Sequence, residues 1–246
     1  MAIEVVDLTE ADIPGAIHVI QQAFADDPYH KWVFDASTHA QFNKQRNYAS
    51  LSARCHWGIR NALFQVAKET AIPDSLVLGV SCWLAPRAAS QPESWYSWIQ
   101  SWYLSLSQLY NNIRYIGHGG LRTNRYWIWK KNQQDAQAQI WDDPRGYYFC
   151  NMVAVSPEAQ GKGIGGLLFR KVLKMADEEG IKCYLESSKN VPNVQIYERM
   201  GFKMSREMEC RDGDDVCMVI FQSFLGIACA NIHLQLYCMV RNPRTE

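Results

Sequence analysis

The 246-residue sequence has no excess of charge of either sign. Its 25 lysine and arginine residues balance 25 aspartate and glutamate residues, so the composition does not indicate a nucleic-acid partner, and we expect none. It also lacks the run of roughly 18 apolar residues that a membrane-spanning helix requires. The N-terminal stretch MAIEVVDLTEADIPG carries acids where a signal peptide has a basic and then an apolar region. We therefore expect a cytoplasmic protein that does not bind a membrane.

The eight cysteines lack the spacings of a metal site. None forms a CxxC pair, and none is grouped with histidines at the spacing of zinc ligands. We predict buried free thiols in a reducing compartment and no bound metal. The cysteines are Cys55, Cys82, Cys150, Cys183, Cys210, Cys217, Cys229 and Cys238.

The length of 246 residues favours one enlarged domain or two small ones, and we predict a single α/β domain over residues 1–246. Thr9 and Asp12 have the spacing of a capping box at the start of the first helix, while Gly180 and Gly201 are predicted to end later helices. The predicted order is β-α-α-β-β, an insertion, then β-α-β-α-β. The strands are predicted at 3–8, 62–67, 75–84, 147–155, 181–186 and 202–210, and the helices at 13–24, 38–60, 164–180 and 193–200.

Residues 88–142 are unusually rich in aromatic side chains and are predicted to form an inserted pair of helices. Two interpretations of these rings are open. They either pack the inserted layer onto the core or, as a group, wall an apolar substrate pocket. The rings are those of Trp95, Tyr96, Trp98, Trp102, Tyr103, Tyr110, Tyr115, Tyr126, Trp127, Trp129 and Trp141.

The glycine-rich stretch QGKGIGG, residues 160–166, precedes an amphipathic helical pattern. The free N–H groups and the dipole at the start of such a helix favour an anion such as a phosphate. A P-loop is rejected because Gly161-Lys162 is followed by Gly163 and not by the serine or threonine that holds magnesium.

A dinucleotide-binding site fits the same stretch less well. Gly161, Gly163 and Gly166 satisfy the pattern G-x-G-x-x-G, and Glu186 follows at about the distance expected of a ribose-binding acid. However, five residues, SPEAQ, separate the preceding strand from the first glycine, and only 80 residues remain after Gly166. The context therefore disfavours this alternative.

The strand end VAVSP followed by QGKGIG resembles the acetyl-CoA-binding signature of the GCN5-related N-acetyltransferase (GNAT) family. The resemblance implies the GNAT fold, which is a mixed, mostly antiparallel central sheet flanked by helices. In this chain the helical, aromatic-rich insertion would precede the fourth strand. It also implies acetyl-CoA as the cosubstrate. The residues that the resemblance places at the cofactor are Val153, Ala154, Val155, Gln160, Gly161, Lys162, Gly163, Ile164, Gly165 and Gly166.

A second segment supports the resemblance, because Asn190, Tyr197 and the following ERMGF are similar to the family's N-x6-Y-x-x-x-G-F pattern. The resemblance places Asn190 and Asn193 near the cofactor and turns Tyr197 toward the leaving sulfur as the acid that protonates it. The stretches AFADDP, LESS and YERMGF are most similar to the puromycin N-acetyltransferase-like branch.

The general base is harder to predict than the acid. Some branches of the family carry a glutamate on the strand before the glycine loop, but this stretch, YYFCN, has no acid. Glu186 is the nearest carboxylate in the sequence and is a candidate; ordered water, a residue of the insertion or an amine that arrives neutral are the alternatives. Cys150 has no partner histidine in the motif, so a core thiol is favoured over an acyl-enzyme nucleophile.

The expected activity is transfer of an acetyl group from acetyl-CoA to a primary amine by direct attack in a ternary complex. The aromatic insertion and the neutral chain favour a small-molecule amine. A protein or peptide acceptor and a non-catalytic acyl-CoA sensor are the alternatives. We expect a monomer or a homodimer.

Near the C-terminus, DVCMV at 215–219 recurs in outline as LYCMV at 236–240. Either copy can supply the last strand of the sheet, and the family pattern favours the second. Residues 217–234 are therefore suspected to be an extra segment.

Overall fold

The computed structural model describes residues 3–34, 42–69, 76–88, 90, 92, 94–213 and 233–244. Within these ranges, seven strands form one sheet in the order β1-β2-β3-β4-β5-β7-β6. Neighbouring strands are antiparallel except for β4 and β5, which are parallel. The strands are β1 (Ile3–Asp7), β2 (Leu63–Glu69), β3 (Val77–Leu84), β4 (Tyr148–Val155), β5 (Cys183–Ser187), β6 (Lys203–Arg211) and β7 (His233–Arg241).

Helices cover both faces of this sheet. Buried residues of α1 and α3 pack with β2 and β3 on one face, where α2 and α5 cover β5, β6 and β7. The opposite face is covered by α6, with α7 beside it. The helices are α1 (Ile13–Phe24), α2 (Pro28–Phe34), α3 (Lys44–Asn61), α4 (Trp95–Arg114), α5 (Thr123–Ile140), α6 (Ile164–Glu179) and α7 (Asn193–Arg199).

The start of α1 shows how local sequence signals position an element. Thr9 and Asp12 form the predicted capping box, and the Asp12 carboxylate also pairs with Lys68 of β2. Ile13, Ile17 and Ile20 then follow at helical spacing and are buried against the sheet. The helix is therefore anchored at its first turn and along its apolar face.

Two element predictions need correction. The predicted order has no helix between 13–24 and 38–60, where the structure has α2, a helix of seven residues. The second predicted helix, 38–60, is observed as α3 from Lys44, and part of its predicted N-terminal region falls outside the described residues.

The last strand of the sheet is the second copy of the C-terminal repeat, as predicted. β7 lies between β5 and β6 and pairs with both. His233 and Leu234, at the end of the suspected extra segment, are paired with Arg211 and Cys210 as the first residues of β7. Residues 217–232 of that segment lie outside the described residues, so the insertion itself stays a prediction.

The predicted pair of inserted helices is present as α4 and α5, but neither interpretation describes all of the aromatic rings. Trp141 stacks on Tyr147 and belongs to the core. Tyr126 and Trp129 of α5 are partly buried. The rings of α4 do neither, because they are exposed on the outer side of the helix.

The six cysteines that the structure describes are free and buried. Burial raises the pKa of the Cys55 and Cys183 thiols to about 12. Cys217 and Cys229 lie outside the described residues. Among the helices that are described, none combines the length and the apolar character needed to cross a bilayer.

Candidate active site between β4 and β5

The sheet opens between its two parallel strands. β4 and β5 pair only from Tyr148 with Cys183 to Cys150 with Leu185. Beyond that point β4 continues for five residues along β3, whereas β5 continues along β7. The strands therefore leave a cleft between 151–155 on one side and 186–187 on the other.

A β-bulge in β4 lies where this cleft begins. Met152 pairs with Cys82 and Cys150 pairs with Trp83, so Asn151 has no partner on β3. The Asn151 side chain is exposed. Because an extra residue bends the strand that contains it, the bulge accounts for the divergence of β4 from β5.

The end of β4 presents unpaired backbone groups to the cleft. The Ser156 N–H donates to the Leu78 carbonyl on the β3 side, 2.9 Å away. Successive N–H groups of a strand point in opposite directions, so those of Val153 and Val155 point to the edge that β5 has left. Ala154 belongs to the core below α1; its side chain faces away from α6.

The glycine-rich loop places the first turn of α6 at the end of β4. Gly161 and Gly163 have φ of 76° and 77°, in the left-handed region that side chains disfavour. Gly163 is the N-cap of α6, and a Cβ added at Gly165 or Gly166 would meet no protein atom within 4 Å. The side-chain positions of this turn are therefore open, and its free N–H groups can bind a phosphate that approaches the start of α6.

The other predicted loop residues have different positions. Lys162 is exposed, and Gln160 donates from Nε2 to the Val155 carbonyl at 3.3 Å. Ile164 is 1% exposed and packs beneath the loop with Val153 and Val155, so its backbone N–H is the part available to a ligand. These contacts hold the loop against the end of β4.

Tyr197 of α7 lies on the α6 side of the sheet. Its ring is half-buried and packs against Phe169 and Phe202, with ring centroids 5.7 and 6.3 Å apart. Burial raises the pKa of Tyr197, and the nearby Cys150 and Asp27 raise it further. The phenol is therefore protonated at neutral pH, as an acid requires.

Asn190 and Asn193 flank the start of α7. Asn190 is exposed and its carbonyl accepts from the Val194 N–H at 2.8 Å. Asn193 is half-buried as the first residue of α7. The structure describes no contact that holds either side chain in position.

Glu186 is the first residue of β5 beyond its pairing with β4, and it lies on the α2 and α5 side. Its Oε2 accepts from Gln133 Nε2 of α5, and its Oε1 accepts from the Tyr184 hydroxyl, both at 2.8 Å. Burial raises the pKa of Glu186, although the two hydrogen bonds and Lys130 oppose this change. A carboxylate with a raised pKa is a stronger base than an ordinary glutamate.

The α2 side of the cleft also contains Asp27, Tyr29 and Ser188, which were not predicted as site residues. Asp27 is 5% exposed; it accepts from the Tyr29 N–H at 2.9 Å and from the Ser188 hydroxyl at 2.6 Å. Tyr29 contacts Trp129 edge to face, with centroids 4.9 Å apart. The stretch AFADDP contains Asp27, but only the resemblance, and no chemical argument, drew attention to it.

Cys150 is a core thiol, as predicted. It is 5% exposed, and burial raises its pKa well above the ordinary value, with a further increase from Cys82 and Cys183. A thiol in this environment is not ionised at neutral pH and is a poor nucleophile.

The comparisons with known proteins agree with this arrangement. Residues 122–204 match the model of the acetyltransferase (GNAT) domain, a span that contains α5, the cleft strands, the glycine-rich loop and Tyr197. The chain is 25% identical over 241 residues to an uncharacterised N-acetyltransferase of Schizosaccharomyces pombe, covering 96% of this chain and 81% of the relative.

Two solved structures share the fold at low identity. Arylalkylamine N-acetyltransferase 2 from Aedes aegypti superposes with a TM-score of 0.56 at 13% identity, covering 99% of this chain and 100% of that one. A Corynebacterium glutamicum structure, titled histone acetyltransferase HPA2 and related acetyltransferase, gives 0.50 at 17% identity, covering 100% and 99%. The fold is the GNAT fold, and residues 122–204 are similar to the GNAT acetyltransferase domain.

Proposed function

We propose that the protein is an acetyl-CoA-dependent N-acetyltransferase that acts on the primary amine of a small molecule. The observation that carries this proposal is the cleft itself. One opening in the sheet brings together the first turn of α6, two outward N–H groups on β4 and a protonated tyrosine. Acyl transfer from a thioester needs an anion site, carbonyl donors and an acid in this proximity.

The residues of the α6 side fit acetyl-CoA. The turn from Gly161 to Gly166 would hold its pyrophosphate, because the side-chain positions of its glycines are open and its free N–H groups can bind a phosphate. The N–H groups of Val153 and Val155 would bind the pantetheine arm and the thioester carbonyl, and Asn190 and Asn193 would be further contacts of the cofactor. When bound, acetyl-CoA supplies the activated acetyl group.

Two side chains on opposite faces of the sheet each carry out one proton transfer. Tyr197 gives a proton to the departing thiolate on the α6 side. Glu186 takes up the proton that the amine loses on the α5 side, either directly or through water. Direct attack in a ternary complex suits this arrangement, because Cys150 is unsuited to form an acyl-enzyme.

The α2 and α5 side favours a small acceptor that carries an apolar or aromatic group. Tyr29, Tyr126 and Trp129 are in ring contact near Glu186, and such rings bind apolar groups while a carboxylate attracts an ammonium. The stretches AFADDP, LESS and YERMGF, similar to the puromycin N-acetyltransferase-like branch, support the same choice. Cytoplasmic location is part of the proposal and rests on the sequence alone.

One observation favours a non-catalytic acyl-CoA sensor as the second candidate. Asn151, and not an acid, occupies the exposed bulge at the start of the cleft, so the β4 side contributes no base. A sensor keeps the binding loop and needs no base.

Transfer of labelled acetyl groups from acetyl-CoA, read by mass spectrometry, tests the proposal. The acceptors are a pool of aromatic and aliphatic small amines, including aminonucleosides, and a pool of histone and N-terminal peptides. We expect label on a small amine. Label on peptides alone would replace the small molecule by a protein acceptor, and acetyl-CoA binding with no transfer to either pool would favour the sensor.

A further inference from the structure

Unlike an ordinary surface helix, α4 has its apolar side toward solvent and its polar side toward the protein. Residues three and four apart form a continuous row on its solvent side, which we call the α4 apolar face. The side chains of this row are between 45% and 80% exposed. The α4 apolar face consists of Trp95, Trp98, Trp102, Leu106, Leu109 and Ile113.

The orientation of α4 is fixed by polar contacts on its inner side. The Ser50 hydroxyl of α3 donates to Gln108 Oε1 at 2.7 Å, and Gln108 Nε2 donates to the Ser50 carbonyl at 3.2 Å. Arg46 donates to Asn112 Oδ1 at 2.5 Å, and Asn111 is buried. Turning the apolar face inward would break these hydrogen bonds, so the outward position of the rings is built into the α3 and α4 contact.

The exposed apolar area is too large for an ordinary monomer surface. A helix of 20 residues is about 30 Å long. With the flanking tyrosines and isoleucine, ten large side chains at these exposures present on the order of 1,000 Å². The largest apolar patch of a typical monomer is about 300–600 Å², whereas a stable interface buries about 800 Å² on each partner.

The charge pattern indicates the kind of partner. No residue from Trp95 to Ile113 is charged. In a two-fold contact the same patch lies on both partners, so a face without charged residues can pair with itself and bury no unpaired charge. An interfacial membrane helix instead carries lysine and arginine on its polar face, where α4 has serine, glutamine and asparagine, with Arg114 at its end.

We propose that the α4 apolar face binds the α4 apolar face of a second copy of this chain, forming a two-fold symmetric dimer. The two helices pack along their rows of tryptophan and leucine with the axes about 8–10 Å apart. Abundant aromatic side chains and absent charges are the features of a homodimer interface core. Because the cleft between β4 and β5 contributes no residue to this surface, the dimer does not depend on the proposed activity.

Sedimentation equilibrium of the full chain across a concentration series tests the proposal. We expect twice the mass of one chain for the wild type. Leu106 lies near the middle of the row, so Leu106→Glu places an acid within the apolar interface on both copies. We expect the dissociation constant of the dimer to rise by about 10²-fold or more, since the substitution occurs twice in one interface. Leu76→Glu is the matched control: Leu76 is 69% exposed just before β3, and this variant should remain a dimer.

A second variant keeps the proposal testable if Leu106→Glu does not fold. Leu106→Cys should form a disulfide between two copies under mild oxidation, and Leu76→Cys should not exceed the wild type. A monomeric wild type overturns the proposal. If that monomer sediments with neutral phosphatidylcholine vesicles, the face binds lipid instead; if it does not, the face has another occupant.

Discussion

Tyr197 combines two properties that an acid needs, a protonated hydroxyl and a position in the cleft. Its raised pKa follows from burial among Phe169 and Phe202 and from the neighbouring Cys150. We predict that Tyr197→Phe lowers kcat by about 10²-fold, because a positioned acid contributes about 10²–10⁴-fold. The dissociation constant of acetyl-CoA should change little. Steady-state kinetics with the acceptor that the labelling experiment identifies, and calorimetric titration of acetyl-CoA, measure the two quantities.

Tyr148→Phe is the control for that experiment. The Tyr148 hydroxyl donates to Glu179 Oε2 at 2.7 Å, at the closed end of the β4 and β5 pair, so its loss should lower stability by about 1 kcal/mol and leave kcat unchanged. Equal kcat values for Tyr197→Phe and the wild type would remove the tyrosine from the mechanism.

The raised pKa of Glu186 makes stability depend on pH in a defined direction. The folded protein holds this proton more tightly than the unfolded chain, so ionisation of Glu186 destabilises the fold as pH rises through the folded pKa. Glutamine cannot ionise. We predict that the melting temperature of Glu186→Gln, relative to the wild type, is higher at about pH 8 than at about pH 4. A difference that is the same at both pH values would show that burial does not perturb this carboxyl.

The same variant tests whether Glu186 acts as a base. In the wild type the acidic limb of kcat/KM should lie above the ordinary glutamate value of about 4.3. Glu186→Gln should lower kcat/KM and remove that limb. If the limb persists with unchanged kcat/KM, the amine loses its proton elsewhere, and Asp27 becomes the next candidate on the α2 side.

At the residue scale, the sequence predicted the groups that belong to contiguous motifs and missed those that long-range contacts assemble. The glycine-rich loop precedes α6 and Tyr197 lies in α7, at the predicted helix positions. The cofactor and acid roles of these residues stay predictions. Asp27 and Ser188 are 161 positions apart, and only the fold shows that they share a hydrogen bond. The pKa of Glu186 is raised by burial, and the hydrogen bond from Gln133 of another element opposes this increase. Both effects come from long-range packing, so no local pattern contains them.

At the scale of elements, a substitution in the first turn of α6 can change anion binding without lowering the stability of the helix. Gly166 is exposed with open space around its Cβ position. An acid in the first turn of a helix interacts favourably with its dipole, but it repels a phosphate. We predict that Gly166→Asp weakens acetyl-CoA binding by about tenfold or more without lowering the melting temperature. Calorimetric titration and thermal unfolding measure these effects.

Gly166→Asn is the matched control, because it has nearly the size of aspartate and no charge. It should bind acetyl-CoA more tightly than Gly166→Asp. Equal binding by both variants would indicate that the phosphates do not approach this turn.

The elements themselves were largely predictable, because each has a strong periodic signal. The amphipathic pattern of α6 and the apolar run of β4 were both found. The cleft was not predictable in detail, since it depends on a bulge at Asn151 within a stretch that has no glycine or proline. The direction of the α4 rings was also missed: the pattern shows which side of a helix is apolar, but only the polar contacts of Gln108 and Asn112 show that this side faces outward.

At the scale of the whole molecule, Arg241 connects β7 to α6 and α7. It is 3% exposed, donates twice to Asp177 at 2.8 and 2.7 Å, and donates once to the Met200 carbonyl at 3.1 Å. The repeat at 215–219 is followed by Ile220 where the repeat at 236–240 is followed by Arg241. This difference gives a physical reason why the second copy forms the strand.

We predict that Asp177→Asn destabilises the protein by about 1–3 kcal/mol at neutral pH. The hydrogen bond from Arg241 lowers the pKa of Asp177, so its stabilising contribution is present above the unfolded value of about 3.9 and is lost as pH falls through the folded pKa. Urea unfolding of both proteins at about pH 7 and about pH 2 should show a gap in stability that closes in acid. A gap of equal size at both values would mean that the variant acts through packing.

The hydrogen bond between Gln133 and Glu186 joins the inserted helix α5 to a strand of the central sheet. A substitution on α5 can therefore alter the environment of this carboxylate without changing any residue of β4, β5 or the glycine-rich loop. In the proposed enzyme, acceptor preference can therefore change through substitutions in α5 alone, with no change in the residues that we propose bind acetyl-CoA.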